Sequence, residues 1–195
     1  VTLSGGKRNQ FMFYTSMPNG VVDLSNINDT IRSSNYKTRL SGTYTVGGTS
    51  PDFVTFKQSM DSLNYYGVCG PTTINLRDGS YSCQTITLNH VQGTSATNSI
   101  IIQSESLDSS LVTLQHTTTG FTVNDVSNIT IRKVGFQLSA TFNYTSLTVN
   151  PGNSNNIEIS NCKFFNNIAS NGVKIYNPGV NTTSHNIRIN NNRLL

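Results

Sequence analysis

Apolar and polar residues alternate with a period of two through much of the chain after residue 70, and the alternation returns at regular intervals. The clearest copies are SNITIRKVGF (127–136), NNIEISNCKF (155–164) and HNIRINNNRL (185–194). Each copy reads Asn, apolar, any residue, apolar, with Phe or Leu eight positions after the Asn. A period of two is typical of a β-strand, and its recurrence at intervals of about 30 residues indicates a repeat architecture built from strands.

Three interleaved series of strands are predicted from this alternation. The first contains the apolar pairs Ile74/Leu76, Ile100/Ile102, Ile129/Ile131, Ile157/Ile159 and Ile187/Ile189. The second contains Phe121/Val123, Leu147/Val149 and Val173/Ile175, and the third contains Ile86/Leu88 and Val112/Leu114. Stacked three-sided coils produce such a pattern, because each coil buries its apolar residues only against its neighbours. We therefore predict an all-β fold, a right-handed parallel β-helix of about five coils.

The asparagines that begin the three quoted strands, Asn128, Asn156 and Asn186, are predicted to stack at one corner of the coils. Asn tolerates the left-handed backbone conformation that corners need, and stacked amides can bond to one another. A structural role is therefore favoured over a ligand site. Phe136, Phe164 and Leu194 are expected to stack inside the coils. Glu158 and Arg188 should face outward side by side on adjacent coils, since each lies two residues after its Asn, and we expect them to form an exposed ion pair.

The segment SPDFVTFKQSMDSLNYYG (50–67) predicts a helix near 51–66, with Ser50 as N-cap and Gly67 at its end. Its apolar residues share one face, so the helix is suited to cap the N-terminal end of the β-helix. Residues 1–45 lack the coil period. The expected domains are thus an extended segment or sandwich remnant over 1–45 and the β-helix over 46–195.

Charge and composition exclude several classes of partner. Charged residues make up 11% of the chain and the net charge is +4, with 13 basic side chains that are scattered along the sequence. A nucleic-acid-binding protein usually carries a basic patch or a known motif, so a solvated surface is the favoured interpretation. Apolar runs are too short to span a membrane. The cysteine and histidine spacings predict no metal site and no cofactor.

Candidate catalytic groups are sparse. Glycoside hydrolysis requires two carboxylates, yet Glu158 is the only acidic residue after position 126. Asp125 is explained by an Asx turn and His185 by a corner position. His90 and His116 are distant from it and from each other in sequence. Four tyrosines could stack on sugars, although packing roles are favoured: Tyr65, Tyr66, Tyr144 and Tyr176.

The stretch GTYTVGGTSPDFVTFKQSMDSLNYYGVCGPTTINLRDGSY (42–81) resembles the opening of pectin-lyase-like β-helix domains in large bacterial secreted and cell-surface proteins. The upstream stretch 18–44 resembles the end of an Ig-like domain. The resemblance implies a secreted or cell-surface location, often reached by the type IX route. The start also resembles pectin methylesterases, but their catalytic phrases Q-A-V, Q-D-T and D-F-I-F-G are absent from this sequence.

An extracellular setting permits a disulfide, and Cys69 and Cys83 flank the first coil strand, so they are the expected pair. Cys162 lies within the repeat and is expected to be a buried thiol. Leu194 and Leu195 should lie at an open C-terminal edge, from which we expect a longer parent chain or another chain that covers it.

Two functions follow as expectations. The first is a non-catalytic module of a larger secreted or cell-surface protein, acting as an adhesin, a stalk or a surface for extracellular glycans. The second is a polysaccharide-active lyase, esterase or hydrolase. A groove with clustered carboxylates would favour the enzyme, and a flat Asn/Thr-rich face would favour the module.

Overall fold

The computed structural model describes residues 8–17, 20, 30–33, 36–139, 144–152, 154–165, 172–175 and 186–195. Contacts divide the chain into two units, 1–39 and 40–195. The described strands of the first unit form two short antiparallel pairs, β1 (Arg8–Asn9) with β4 (Tyr36–Lys37) and β2 (Met12–Tyr14) with β3 (Thr30–Arg32).

The second unit is a parallel β-solenoid of about five coils, which confirms the predicted fold class. Each complete coil contributes one strand to each of three parallel sheets. Sheet A contains β5 (Leu40–Val46), β6 (Val68–Leu76), β9 (Ile100–Ser104), β12 (Ile129–Arg132), β15 (Ile157–Ser160) and β18 (Ile187–Asn190). Sheet B contains β7 (Gly79–Ser82), β10 (Val112–His116), β13 (Gly135–Leu138), β16 (Lys163–Phe165) and β19 (Arg193–Leu194). Sheet C contains β8 (Thr87–Asn89), β11 (Phe121–Asn124), β14 (Leu147–Asn150) and β17 (Val173–Ile175).

The domain boundary differs from the predicted one by six residues. Residues 40–46 form β5, which pairs in parallel with β6 and belongs to sheet A. The coil period does not reveal this strand because it precedes the first complete coil. It extends sheet A by one strand at the N-terminal end of the solenoid.

The helix is shorter than predicted. Helix α1 spans Phe56–Tyr66, and its N-cap is Thr55, whose side chain accepts a hydrogen bond from the backbone N–H of Gln58. The residues that precede Thr55 form hydrogen bonds with β5 instead of joining the helix. The Asp52 carboxylate accepts bonds from the N–H and hydroxyl of Thr45, and the Phe53 N–H donates to the Thr45 carbonyl. These hydrogen bonds to Thr45 keep residues 51–54 out of the helix.

The buried face of α1 covers one end of the solenoid core. Phe56 is buried and meets Phe121 edge to face, with ring centroids 5.2 Å apart. Asn64 reaches the outer edge of β8, where its amide donates to the Thr87 carbonyl and accepts from the Asn89 N–H. These bonds satisfy backbone groups that would otherwise form an open sheet edge.

The strand register confirms the second predicted series. It shifts one member of the first series and separates the two members of the third. Ile74 pairs with Ile102 rather than with Ile100, a shift of two residues that leaves the same side chains facing inward. Leu88 pairs with Val123 in sheet C, whereas Leu114 pairs with Tyr81 in sheet B, so the third series does not exist. Sheet B instead contains the predicted stack, in which Phe136 pairs with Phe164 and Phe164 with Leu194.

The last coil ends the described solenoid. Its strands β17, β18 and β19 each pair with a strand of the preceding coil. Leu194 and Leu195 are exposed, as expected from the sequence. Within the part of the chain that the structure describes, no helix is long and apolar enough to cross a membrane.

Candidate functional site

A ladder of asparagine amides runs along the corner that precedes sheet A. The side-chain Nδ2 of Asn186 donates to Oδ1 of Asn156 at 3.0 Å, and Asn156 Nδ2 donates to Oδ1 of Asn128 at 3.0 Å. Asn128 and Asn156 have φ values of 56° and 58°. Asn suits this corner because its short polar side chain lowers the cost of a left-handed backbone. The ladder fixes three successive coils in register and leaves their amides at the surface.

An open groove with a volume of about 330 Å³ lies along this ladder. Its described lining comes from the ladder, from the outer face of sheet A and from the loop before β9: Ala96, Ser99, Asn128, Thr130, Asn156, Ile157, Glu158, Asn186 and Arg188. Except for Ala96 and Ile157, these side chains can all donate or accept hydrogen bonds. The groove therefore offers a dense set of polar groups across three coils.

A second row of side chains stands beside the ladder inside the groove. Thr130 pairs in register with Glu158, and Glu158 pairs with Arg188, as predicted for the last two. Inward-facing isoleucines flank these positions, so the polar side chains must face outward. The predicted ion pair between them is not formed, since none of the ion pairs of the described residues joins Glu158 to Arg188. Both charged groups are therefore available to a ligand.

Carboxylates are not clustered in this groove. Among its described lining residues, Glu158 is the one acidic group. No group of three or more His, Cys, Asp or Glu side chains is arranged to hold a metal ion within the described ranges. The groove is suited to hydrogen bonding and to single charge contacts rather than to paired acid–base chemistry.

The structure brings together two pairs of side chains that lie far apart in the sequence. His90 Nδ1 lies 3.0 Å from Asp125 Oδ2 at the corner after sheet C, where both residues have a left-handed backbone. This pair is on the surface, since the His90 side chain is 73% exposed. In the sequence, His90 and Asp125 occupy equivalent positions, because each directly follows an Asn that ends a strand of sheet C.

The second pair is buried. Ser146 Oγ lies 2.9 Å from His116 Nε2, while His116 Nδ1 lies 2.6 Å from the Thr118 carbonyl oxygen. A carbonyl can only accept, so Nδ1 carries the proton and Nε2 accepts from the Ser146 hydroxyl. Burial lowers the pKa of His116. The arrangement matches a nucleophile–base pair, but both side chains are inaccessible to a substrate, at 0% and 2% exposure.

The expected disulfide between Cys69 and Cys83 does not form. Cys69 lies on the outer face of its strand and is exposed, whereas Cys83 is buried in the core, so their side chains lie on opposite sides of the coil wall. Cys162 is a buried thiol, as predicted. Burial raises the pKa of Cys83 to about 12 and that of Cys162 to about 11.

The candidate tyrosines that the structure describes lie outside the described lining of the groove. Tyr65 is 82% exposed on α1 and meets the Tyr66 ring edge to face at 4.8 Å between centroids. Tyr144 is half-buried and lies outside the described lining. Tyr176 and His185 lie outside the described residues. Among the described residues, no tyrosine is placed to stack on a sugar in this groove.

Comparisons with family models, with curated proteins and with solved structures each returned no match to the chain.

Proposed function

We propose that the protein is a non-catalytic carbohydrate-binding module of a secreted or cell-surface bacterial protein, and that glycans bind in the groove beside the asparagine ladder. The observation that carries this proposal is the double row of polar side chains across three coils. Asn128, Asn156 and Asn186 present amides, and Thr130 and Arg188 add a hydroxyl and a guanidinium. Sugar hydroxyls both donate and accept hydrogen bonds, and this surface offers partners for both.

The shape of the groove also favours an extended ligand. Successive rows are separated by one strand spacing, about 4.8 Å, and the backbone under each row is fixed by parallel pairing. A rigid surface loses little entropy when a ligand binds. A linear oligosaccharide that crosses the coils would meet one asparagine amide of the ladder at each step.

An enzyme of the pectin-lyase-like superfamily is the less favoured function. Hydrolysis by paired carboxylates needs a second acid about 5–10 Å from the first. In the described lining, Glu158 has no such neighbour. The secreted or cell-surface location and the pectin-lyase-like affiliation rest on the resemblance of residues 42–81 and belong to the proposal.

A glycan array with a groove-filling variant tests the proposed site. Ala96 lines the groove and Thr97 is an exposed neighbour outside its described lining, so Ala96→Trp and Thr97→Trp form a matched pair. We expect the wild-type chain to retain a defined set of glycans, Ala96→Trp to lose them, and Thr97→Trp to keep them. Absence of glycan binding by the wild type would refute the function, and equal binding by both variants would refute the groove. Labelling of intact source cells with an antibody tests the proposed location.

A further inference from the structure

The outer face of sheet C repeats the same two residues in three successive coils. Strand β8 is Thr-Leu-Asn, and β11 and β14 both end in Thr-Val-Asn. The residues between Thr and Asn are buried, so the polar side chains face outward. The strand register aligns them in one row of threonines and one row of asparagines along the solenoid axis, which we call the Thr/Asn array: Thr87, Thr122 and Thr148, then Asn89, Asn124 and Asn150.

The Thr/Asn array is uncharged, unlike the outer faces of the other two sheets. No charged residue occurs in the three stretches that contain the array: 84–89, 117–124 and 144–150. The outer face of sheet A carries Glu158 and Arg188, and that of sheet B carries Lys163. The array ends at the next strand of sheet C, where Lys174 pairs with Thr148. Sheet C therefore presents a neutral, regular surface that is three coils long.

The side chains of the array are held in place. Threonine branches at its β-carbon, which restricts its first side-chain torsion. In the asparagine row, Nδ2 of Asn124 donates to Oδ1 of Asn89, and the Asn89 N–H donates to Oδ1 of Asn64 in α1. Parallel pairing on both sides of β11 fixes the backbone beneath Thr122. A surface that is already ordered loses little entropy when it binds.

The spacing within each row is close to a repeat distance of ice. Neighbours in a row are one strand spacing apart, about 4.8 Å. Each water in ice forms four tetrahedral hydrogen bonds of about 2.75 Å, so two water oxygens that share a neighbour lie about 4.5 Å apart. Each row contains two such steps, so its total mismatch is about 0.6 Å, about a fifth of one hydrogen-bond length.

The spacing between the two rows also fits the lattice. Thr and Asn in one strand are two residues apart, about 6.6 Å. The same tetrahedral geometry repeats about every 7.3 Å perpendicular to the layers of ice. The difference of about 0.7 Å is within the reach of the longer asparagine side chain. The array can therefore meet water positions of the lattice in two directions.

We propose that the Thr/Asn array binds the surface of ice crystals. The proposal goes beyond the glycan-binding function and does not depend on it, because the groove lies along sheet A. Hydroxyl and amide groups both donate and accept hydrogen bonds, so they can take the place of waters in the lattice. The lack of charge matters because an ammonium or carboxylate keeps a tight hydration shell of its own.

Two other roles for this face are less favoured. Threonine is common on solvated strands, but solvation alone requires neither the same pair in each coil nor the exclusion of charge. A sugar-binding face usually includes an aromatic ring, and the array contains none. Ice is the ligand for which both the regular spacing and the neutrality are requirements.

Partitioning into ice tests the proposal. Ice is grown slowly on a cold surface from a solution of the chain and a small dye that ice excludes, and the protein in the ice is measured. We expect the chain to be enriched in the ice relative to the dye, and to keep ice crystals small during annealing. Since the array is three coils long, we expect inhibited recrystallisation rather than a wide separation of the freezing and melting temperatures.

Two matched variants locate the binding face. Thr122 and Thr113 are both half-buried and face outward from inner strands, the first in sheet C and the second in sheet B. Thr122→Lys and Thr113→Lys each add one positive charge. We expect Thr122→Lys to lose both activities and Thr113→Lys to keep them, with melting temperatures followed by circular dichroism. Thr148→Lys is the second array variant, and should also lose both activities, if Thr122→Lys is unstable.

Each contrary result overturns the proposal. Exclusion of the wild-type chain from ice together with the dye would refute ice binding. Equal partitioning of the wild type and the folded array variants would show that another face binds. Equal loss in Thr122→Lys and Thr113→Lys would show that added charge, rather than the array, is responsible. Loss of glycan binding by Thr122→Lys, with ice partitioning unchanged, would assign the array to the glycan-binding function instead.

Discussion

The imidazole of His116 accepts a hydrogen bond from the hydroxyl of Ser146, 2.9 Å away, and this bond joins two successive coils inside the protein. The other ring nitrogen donates to the Thr118 carbonyl, so the neutral imidazole satisfies both partners. A protonated ring could no longer accept from Ser146. The pair is therefore tied to the neutral form of His116, in agreement with the lowering of its pKa by burial.

Stability should consequently fall in mild acid. The unfolded chain binds a proton at His116 near pH 6.5, whereas the folded chain resists protonation until a lower pH. The stabilisation that neutral His116 contributes is thus complete above about pH 6.5. As the pH falls toward the pKa of His116 in the folded chain, the free energy of unfolding decreases by at most about 1.4 kcal/mol per pH unit. Urea unfolding between pH 7.5 and 5.5 measures this slope. His116→Gln should have a shallower slope, and identical slopes would contradict the assignment.

The stacked rings of Phe136 and Phe164 should contribute strongly to the core of sheet B. Their centroids are 5.1 Å apart, their planes differ by 7°, and both side chains are buried. Phe164→Ala should lower the free energy of unfolding by about 3–5 kcal/mol, because it leaves a cavity. Phe164→Leu should cost less than about 1.5 kcal/mol, since Leu194 already occupies the equivalent position in the next coil. Chemical denaturation of both variants checks the order, and equal losses would contradict it.

The repeat could be predicted from the sequence because inward apolar pairs and corner asparagines recur in each coil. Two strands were misassigned where the period changes. Seven residues separate β9 from β10, against two at the equivalent corner of the other coils, so a constant step placed Val112 in the wrong series. The register shift at Ile74 could not be predicted for a different reason. A shift of two residues leaves the same side chains facing inward, so the alternation does not reveal it.

The candidate sites were harder to predict than the fold. Alternation identified Glu158 and Arg188 as outward neighbours, because both lie within strands. The His116–Ser146 bond joins a strand end to a loop, and no period relates the two positions.

Asn156 tests the ladder, because it donates to Asn128 and accepts from Asn186. Asn156→Ala removes both bonds and places a β-carbon in a left-handed backbone, which should cost about 2–4 kcal/mol of stability in total. Asn156→Gly removes the same hydrogen bonds but relieves the strain of the left-handed backbone, so it should lower the stability by less. Thermal unfolding of the two variants separates these effects. If glycine were the more destabilising substitution, the backbone explanation would be wrong.

Gly47 lies where the segment between β5 and α1 packs closely against the first coil. Its φ is 73°, and an added β-carbon would lie 2.7 Å from Cε1 of Tyr81, whose single hydroxyl proton is shared between the carbonyls of Val46 and Arg77. Gly47→Ala should therefore combine backbone strain of about 1–2 kcal/mol with an overpacking cost of about 1–3 kcal/mol. Gly42 also has a positive φ, of 97°, but has open space around it, so Gly42→Ala carries the strain alone. Differential scanning calorimetry should show the larger fall in melting temperature for Gly47→Ala. Equal melting temperatures would mean that Tyr81 moves away without cost and that its two hydrogen bonds do not hold this segment.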